Sequence, residues 1–154
     1  MTGADDRELG FDRLIDAPPE AVYRAWTEPG LFKRWFAPQP FTTPLAELDV
    51  RPGGSNRIVM RGPDGTEMPN RGAYLEVVPG RRLVFTDAFT EAWAPSEKPF
   101  MTVILSFEPE GGKTRYGVRV RHWSAADRQA HERMGFYAGW GLCADQPEAL
   151  VGAM

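Results

Sequence analysis

The sequence KTRYGVRVRHWSAADRQAHERMGFYAGWGLCADQ, residues 113–146, changes its hydrophobic period in the middle, and this change decides the fold class. Up to Trp123 apolar residues alternate with polar ones, which is typical of a strand with one buried face. From Ser124 onward apolar residues recur at helical spacing, which predicts a long amphipathic helix. The four residues from Ser124 to Asp127 have the form of a capping box, so we expect Ser124 to cap a helix that begins at Ala125.

The predicted helix has one apolar stripe, which we expect to face a sheet. This stripe consists of Ala126, Ala130, Met134, Tyr137 and Gly141, with a flank of Phe136, Trp140 and Cys143. The opposite arc is polar and includes His131, which we therefore expect to be solvated. Pro147 also lies inside the expected helix. Because a proline within a helix removes a hydrogen bond and costs about 3 kcal/mol, we predict a kink or an early end near Asp145.

The segment before residue 113 predicts an antiparallel sheet with two short helices near its start. Residues 7–15 alternate as a strand does, and prolines then open a helix that stops at Pro29 and Gly30. A second helical stretch runs from Leu31 to Phe36. Turn sequences rich in glycine and proline separate the strand-like runs, which cover residues 42–51, 55–62, 67–78, 81–89, 100–108 and 113–123. The connections are too short for helices, so we expect an antiparallel meander.

Composition favours one folded domain in solution. The 154 residues are 42% hydrophobic and 25% charged, and we expect a single domain over residues 7–152 with a flexible N-terminus at residues 1–6. A net charge of -3 argues against a nucleic-acid-binding protein. No apolar run approaches the roughly 18 residues of a membrane span, so no membrane partner is expected. Cys143 is the only cysteine, which fits a reducing, cytoplasmic location.

Motifs for metals, cofactors and activated nucleophiles are absent from the sequence. Two histidines and one cysteine do not make a zinc ligand set, and phosphate-binding and dinucleotide-binding fingerprints are missing. We therefore expect no metal and no cofactor. His122 is the only candidate catalytic residue, since it shares a strand face with Val118 and Val120 and should point inward as a general base. The alternative is a core histidine bonded to a carbonyl or carboxylate group.

Five short motifs occur in order along the chain and together resemble one protein family. They lie at residues 25–29 with 34–38, 49–54, 72–77, 82–86, and 134–136 with 139–140. Over about residues 7–146 the chain resembles the SRPBCC (START/Bet v1-like) superfamily, and within it the activator-of-Hsp90-ATPase-homologue (AHSA1-like) C-terminal domain. The resemblance implies an α+β helix-grip fold. In that fold a curved antiparallel sheet of six to seven strands surrounds a long C-terminal helix, with two short helices after the first strand.

The aromatic residues carry the main functional hypothesis, which is the binding of a small hydrophobic ligand between the sheet and the C-terminal helix. A cavity walled by rings with a few polar groups is the usual make-up of a small-molecule pocket. The same rings could instead fill a solid core. The expected ligand-binding residues are Trp35, Phe36, Arg57, Tyr74, Phe85, Phe89, Trp93, His122, Phe136, Tyr137 and Trp140. Arg57, Tyr74 or His122 would orient a polar end, although Arg57 could equally belong to a surface charge ladder.

Two other functions stay open at this point, although we expect binding rather than catalysis. The superfamily also includes cyclases, dehydratases and hydrolases, so the protein could act on an aromatic, polyketide-like substrate with His122 as base. It could also be an Hsp90 co-chaperone. We do not expect Hsp90 as a partner, because the eukaryotic proteins of that type carry an additional N-terminal domain that contacts the chaperone. A homodimer, the commonest oligomer, is compatible with the sequence.

Overall fold

A computed structural model describes residues 7–37, 40–91, 94–96 and 99–152. The chain begins with β1 (Glu8–Ile15), α1 (Pro19–Thr27) and α2 (Pro29–Trp35). The strands that follow are β2 (Thr42–Leu48), β3 (Ser55–Arg61), β4 (Glu67–Val78), β5 (Arg82–Thr86), β6 (Phe89–Glu91), β7 (Ala94–Pro95), β8 (Met101–Glu110) and β9 (Lys113–His122). The chain ends with α3 (Ala125–Arg133) and α4 (Phe136–Gly152). None of the helices described is long and apolar enough to cross a membrane.

In the part of the chain that the structure describes, seven strands form one antiparallel sheet in the order β1-β9-β8-β5-β4-β3-β2. Strands β6 and β7 pair separately as a small hairpin. Strand β1 lies beside the last strand, with Leu9 opposite Val120, and Val120 is in turn opposite Val103 on β8. The predicted α+β helix-grip arrangement, with its sheet of six to seven strands and its long C-terminal helix, is confirmed.

The core lies between one face of this sheet and the helices. Its sheet side comes from alternate residues of β8 and β9, which are completely buried: Val103, Leu105, Phe107, Tyr116, Val118 and Val120. Helix α1 covers this surface with Val22, Ala25 and Trp26, which fall on one helical face. Burying such apolar side chains stabilises the fold by roughly 25 cal/mol for each Å² removed from water.

The predicted start of the C-terminal helical region is confirmed, but its predicted continuity is wrong. Helix α3 begins at Ala125, and the Ser124 hydroxyl accepts a hydrogen bond of 3.1 Å from the Asp127 amide. The helix then ends near Met134, where Gly135 has a φ of 96°. Glycine adopts this left-handed conformation without a Cβ penalty and is the residue that commonly ends helices. The chain restarts as the separate helix α4 at Phe136.

The break at Gly135 also changes which face of α4 meets the sheet. Met134 and Tyr137 are 76% and 51% exposed, so the prediction that they face the sheet is wrong. The buried face instead carries Phe136, Trp140, Cys143, Ala144 and Pro147. The reason is geometric: the predicted stripe assumed one helical phase from residue 125 to the end, and a left-handed residue resets that phase.

Pro147 does not end the last helix, which continues to Gly152, so the predicted early end near Asp145 is wrong. The proline ring is completely buried in the core, and this apolar burial offsets the missing hydrogen bond. The next residue, Glu148, links this turn of α4 to β1 and the residue that follows it. One Glu148 carboxylate oxygen accepts from the Arg13 guanidinium at 2.8 Å, and the other accepts from the Asp16 amide at 2.7 Å.

Candidate functional site

A cavity of about 240 Å³ lies between the sheet and the helices α1, α2 and α4. Its walls are largely aromatic, with rings contributed by Trp26, Phe32, Phe36, Tyr74, Phe85 and Trp140. Aliphatic side chains from the sheet complete the walls: Leu48, Ile58, Leu83 and Val103, with the thioethers of Met60 and Met101. A concave, mainly apolar space with a few polar groups is the common form of a small-molecule site.

The floor of the cavity follows from strand parity on β3. Asn56, Ile58 and Met60 are two residues apart, so they point to the same face, and all of them line the cavity. From Asn56 to Met60 the strand advances about 13 Å, which sets the length of the floor. On the neighbouring strand, Gly72 approaches β5 so closely that an added Cβ would lie 2.5 Å from the Thr86 carbonyl oxygen. Glycine at this position therefore allows β4 and β5 to pack closely in the floor of the cavity.

Trp26 is the centre of the aromatic cluster. Its ring centroid lies 4.8 Å from that of Trp35 and 6.0 Å from that of Phe85. The Trp140 ring on α4 lies 6.4 Å away, and the two indole planes differ by only 16°. The Trp35 indole nitrogen donates a 2.8 Å hydrogen bond to the Ala25 carbonyl oxygen, which holds α2 against α1. This packing places ring faces from α1, β5 and α4 around the same space.

The buried end of the floor is polar. Asn56 and Tyr74 are 7% and 3% exposed, and both line the cavity. Burial raises the pKa of Tyr74 well above its ordinary value, while hydrogen bonding with the Asn56 side chain acts in the opposite direction. The phenol is therefore neutral at physiological pH, and this end offers hydroxyl and amide groups without a charge.

The other end of the floor lies at Met60, and Asn70, which is opposite Ile58 on β4, is exposed there, so this end forms the mouth. Asp87 also lines the cavity, but it follows β5 level with Gly72 and Asn56. One oxygen of the Asp87 carboxylate accepts hydrogen bonds from the amides of Phe100, at 2.8 Å, and Met101, at 3.0 Å. Asp87 thus holds the start of β8 beside the end of β5. This carboxylate supports the cavity wall beside Gly72.

Cys143 on α4 lines the cavity between the helix and the sheet. Burial raises the pKa of its thiol to about 12. A thiol with this pKa stays protonated at neutral pH and is a poor nucleophile. Cys143 therefore contributes apolar wall, as an inert packed cysteine does.

Some of the residues predicted from the sequence line this cavity and others do not. The predicted residues that line it are Phe36, Tyr74, Phe85 and Trp140. Trp35 and Phe136 are buried behind the walls, where they support Trp26 and Trp140. Phe89 is partly buried and is not among the lining residues. Trp93 lies outside the described residues.

Arg57 and Tyr137 are placed on the surface, contrary to the expected inward positions. Arg57 points away from the cavity because it alternates with Asn56 and Ile58, and its guanidinium lies 3.7 Å from the Glu47 carboxylate on β2. The alternative interpretation of Arg57 as part of a surface charge ladder is therefore the correct one. Tyr137 projects from the solvent side of α4, because the helix phase is reset at Gly135.

His122 points inward as predicted and is 4% exposed, but it does not line the cavity. Its Nδ1 lies 2.8 Å from the Arg7 carbonyl oxygen, and its Nε2 lies 2.7 Å from Nδ1 of His131. Both ring nitrogens are therefore engaged in the core. The expectation that His131 is solvated is wrong: burial, together with the charge of His122, lowers the pKa of His131 to about 4.

Trp26, Phe32 and Asn56 line the cavity but were not predicted from the sequence to do so. Trp26 shares a helical face with Val22 and Ala25, which predicts burial but does not reveal an adjacent cavity. Asn56 carried a usable signal. It is a polar residue at an inward position of an alternating strand, and such residues are buried only when a partner is present.

Comparison with known proteins gives one family and many related structures. No curated protein matches the chain. A crystal structure of a protein from Nitrosomonas europaea is 35% identical, with a TM-score of 0.92 over 99% of this chain and 97% of that one. A protein from Chromobacterium violaceum is 28% identical, with a TM-score of 0.75 over 94% of this chain and 96% of that one.

An AHSA1-like protein from Aeromonas hydrophila shares the fold at 23% identity, with a TM-score of 0.72 over 95% of this chain and 92% of that one. The family model for "Activator of Hsp90 ATPase homolog 1-like protein" matches residues 16–152. This match spans all elements from the end of β1 to the end of α4. The chain therefore belongs to the activator of Hsp90 ATPase homolog 1-like family.

Proposed function

We propose that this protein binds a small hydrophobic ligand in the cavity between its sheet and α4. The observation that carries the proposal is the convergence of rings from separate elements on one space that they do not fill. Protein interiors pack about as densely as organic crystals, so rings without a ligand to contact would normally close together. The fold family is one of ligand-binding domains in general, which agrees with this proposal.

Binding is favoured over catalysis by the chemistry of the cavity. His122, the only candidate base, is bonded through both ring nitrogens and is not among the lining residues. The Cys143 thiol has a raised pKa and stays protonated. The groups that reach the cavity can orient a ligand by hydrogen bonds and apolar contact, and none of those described has the features of an activated nucleophile.

The proposal can be tested with beta-methylnaphthalene, an apolar probe that needs only ring contacts. We expect saturable changes in proton–nitrogen correlation spectra at the indole signals of Trp26 and Trp140, with one probe bound per chain. The variant Trp140→Ala should weaken binding about tenfold, because one ring face of the wall is lost. Native mass spectrometry of the purified protein should in parallel reveal any co-purified ligand and the number of subunits.

Trp123→Ala is the matched control, since this tryptophan is 64% exposed and does not line the cavity. It should leave the affinity for the probe unchanged. Absence of saturable binding would overturn the proposal. So would an equal loss of affinity in the Trp123 and Trp140 variants, because the probe would then not be bound in the cavity.

A further inference from the structure

We infer that the ligand is a neutral aromatic compound of one or two rings, with a single hydroxyl or carbonyl group that hydrogen-bonds to Asn56 at the buried end of the cavity. This inference rests on the proposed function and adds the chemical class of the ligand. Size, charge, wall geometry and the hydrogen-bonding capacity of Asn56 support it independently.

The size of the cavity limits the number of rings. Its volume of about 240 Å³ lies below the range of roughly 300–1,000 Å³ that is usual for sites of drug-sized ligands. Its floor, from Asn56 to Met60, is about 13 Å long. One ring or two fused rings fit within these limits. A polycyclic skeleton such as that of an aromatic polyketide exceeds them.

The charges around the cavity favour a neutral ligand. Arg71 and Asp87 are the charged residues of the lining that the structure describes. Arg71 lies opposite Arg57, so its side chain shares the outer face of the sheet, whereas Asp87 lies level with Gly72 and Asn56. One oxygen of Asp87 is already occupied by the amides of Phe100 and Met101. The other polar side chains at this buried end, those of Asn56, Tyr74 and Thr86, are uncharged. A ligand carboxylate here would meet the like charge of Asp87 without a cation as partner, which is strongly unfavourable. An ammonium group would lose its hydration for a carboxylate that already accepts from two amides, and this desolvation can exceed the Coulombic gain.

The walls favour a flat ligand. The nearly parallel indoles of Trp26 and Trp140 and the tilted ring of Phe85 present faces and edges to the same space. Aromatic rings gain roughly 0.5–1.5 kcal/mol from stacked or edge-to-face packing with one another, beyond their apolar burial. A planar ligand can use these contacts, whereas a branched aliphatic ligand of equal volume cannot.

The Asn56 amide provides the specific polar contact. A carboxamide has two donor hydrogens and an acceptor oxygen with two lone pairs. Tyr74 lies beside this buried amide, near enough for hydrogen bonding between them to act on the pKa of the phenol. Gly72 leaves room beside it, since a Cβ there would lie 3.2 Å from the Asn56 amide oxygen. Because Asn56 lines the cavity, a ligand hydroxyl or carbonyl group can satisfy the remaining hydrogen-bonding positions of its amide.

The experiment compares the affinities of beta-naphthol and beta-methylnaphthalene, which have the same shape and differ in a hydroxyl against a methyl group. The measured quantity is the ratio of the two affinities, determined by titration in the wild-type protein and in each variant. Asn56→Leu, which keeps a similar volume, should lower the ratio for naphthol by about tenfold. Tyr74→Phe should lower it by about threefold, because the amide then loses the partner that orients it. Tyr137→Phe is the control and should leave the ratio unchanged, since Tyr137 is 51% exposed and does not line the cavity.

Each outcome separates this inference from the proposed function. If beta-methylnaphthalene binds but the ratio is the same in the wild-type protein, Asn56→Leu and Tyr74→Phe, the inference is overturned and the proposed function stands. If neither compound binds, both fail. Beta-naphthoate at neutral pH should bind at least tenfold more weakly than beta-naphthol, and tighter binding would overturn the neutral class. Should Asn56→Leu fail to fold, judged by circular dichroism, Tyr74→Phe carries the test.

Discussion

The imidazoles of His122 and His131 are joined by a hydrogen bond, with Nε2 of His122 2.7 Å from Nδ1 of His131. The carbonyl of Arg7 can only accept, so the Nδ1 of His122 that faces it at 2.8 Å carries a proton. In the neutral pair, Nε2 of His122 therefore accepts from Nδ1–H of His131. The rings of Phe100 and Phe136 pack against His131, so this polar contact between β9 and α3 lies in apolar surroundings.

We expect the free energy of unfolding to fall at low pH, where the neutral histidine pair is forced to take up an additional proton. The pKa of His131 is lowered to about 4 in the folded protein, against an ordinary value of 6.5. The unfolded state therefore binds the proton more readily, and the stabilising contribution is fully present above pH 6.5 and is lost as the pH falls towards 4. The free energy of unfolding can be measured with urea for the wild-type protein and for His131→Gln. The difference between the two proteins should be about 2 kcal/mol smaller at pH 4 than at pH 7. Parallel pH profiles of the two proteins would contradict this.

Gly135→Ala should destabilise the protein by about 1 kcal/mol, because alanine is strained at a φ of 96°. Gly139→Ala is the matched control. It lies inside α4, and an added Cβ there would meet nothing within 4 Å. This second change should stabilise the protein by roughly 0.5–1 kcal/mol, because alanine favours a helix interior. Thermal and denaturant unfolding would measure both, and a stabilising Gly135→Ala would show that the two helices can join.

Tyr116→Phe should change the free energy of unfolding by less than about 0.5 kcal/mol or should stabilise the protein. The Tyr116 hydroxyl is completely buried, and among the described residues neither it nor the indole nitrogen of Trp26 makes a hydrogen bond of ordinary length and angle. Removing an unpaired buried hydroxyl relieves a desolvation cost. Trp35→Phe offers a contrast, since it breaks the hydrogen bond to Ala25 and should cost about 2 kcal/mol. Equal losses in the two variants would mean that the Tyr116 hydroxyl is bonded in solution.

Gly72→Ala should both destabilise the protein and impair the cavity. An alanine Cβ would lie 2.5 Å from the Thr86 carbonyl oxygen and 3.2 Å from the Asn56 amide oxygen, so β4 would have to move away from β5. We expect a loss of about 2 kcal/mol in stability and weaker binding of beta-methylnaphthalene. Unchanged stability and binding would show that the strands have more freedom here than the structure indicates.

The sheet and the start of the helical region could be predicted because local rules decide them. The alternation of Val118, Val120 and His122 sets which side of β9 is buried, whatever the rest of the chain does. The hydroxyl of Ser124 caps its own helix through an amide three residues away. These interactions involve neighbours in sequence, so the amino-acid pattern alone contains them.

The position of the helix break and the lining of the cavity were decided by contacts between distant segments. A glycine within a helical pattern can continue a helix or end it. At Gly135 the helix ends, and the end is accompanied by the packing of the next residue, Phe136, against Phe11 on β1. Trp140 then packs against Trp26 on α1, and this contact determines which rings line the cavity. The sequence alone thus determined the strands, their buried faces and the helix cap, which depend on the period of the chain. Only the tertiary structure decided where α4 begins and which rings surround the cavity, because these depend on packing across the core.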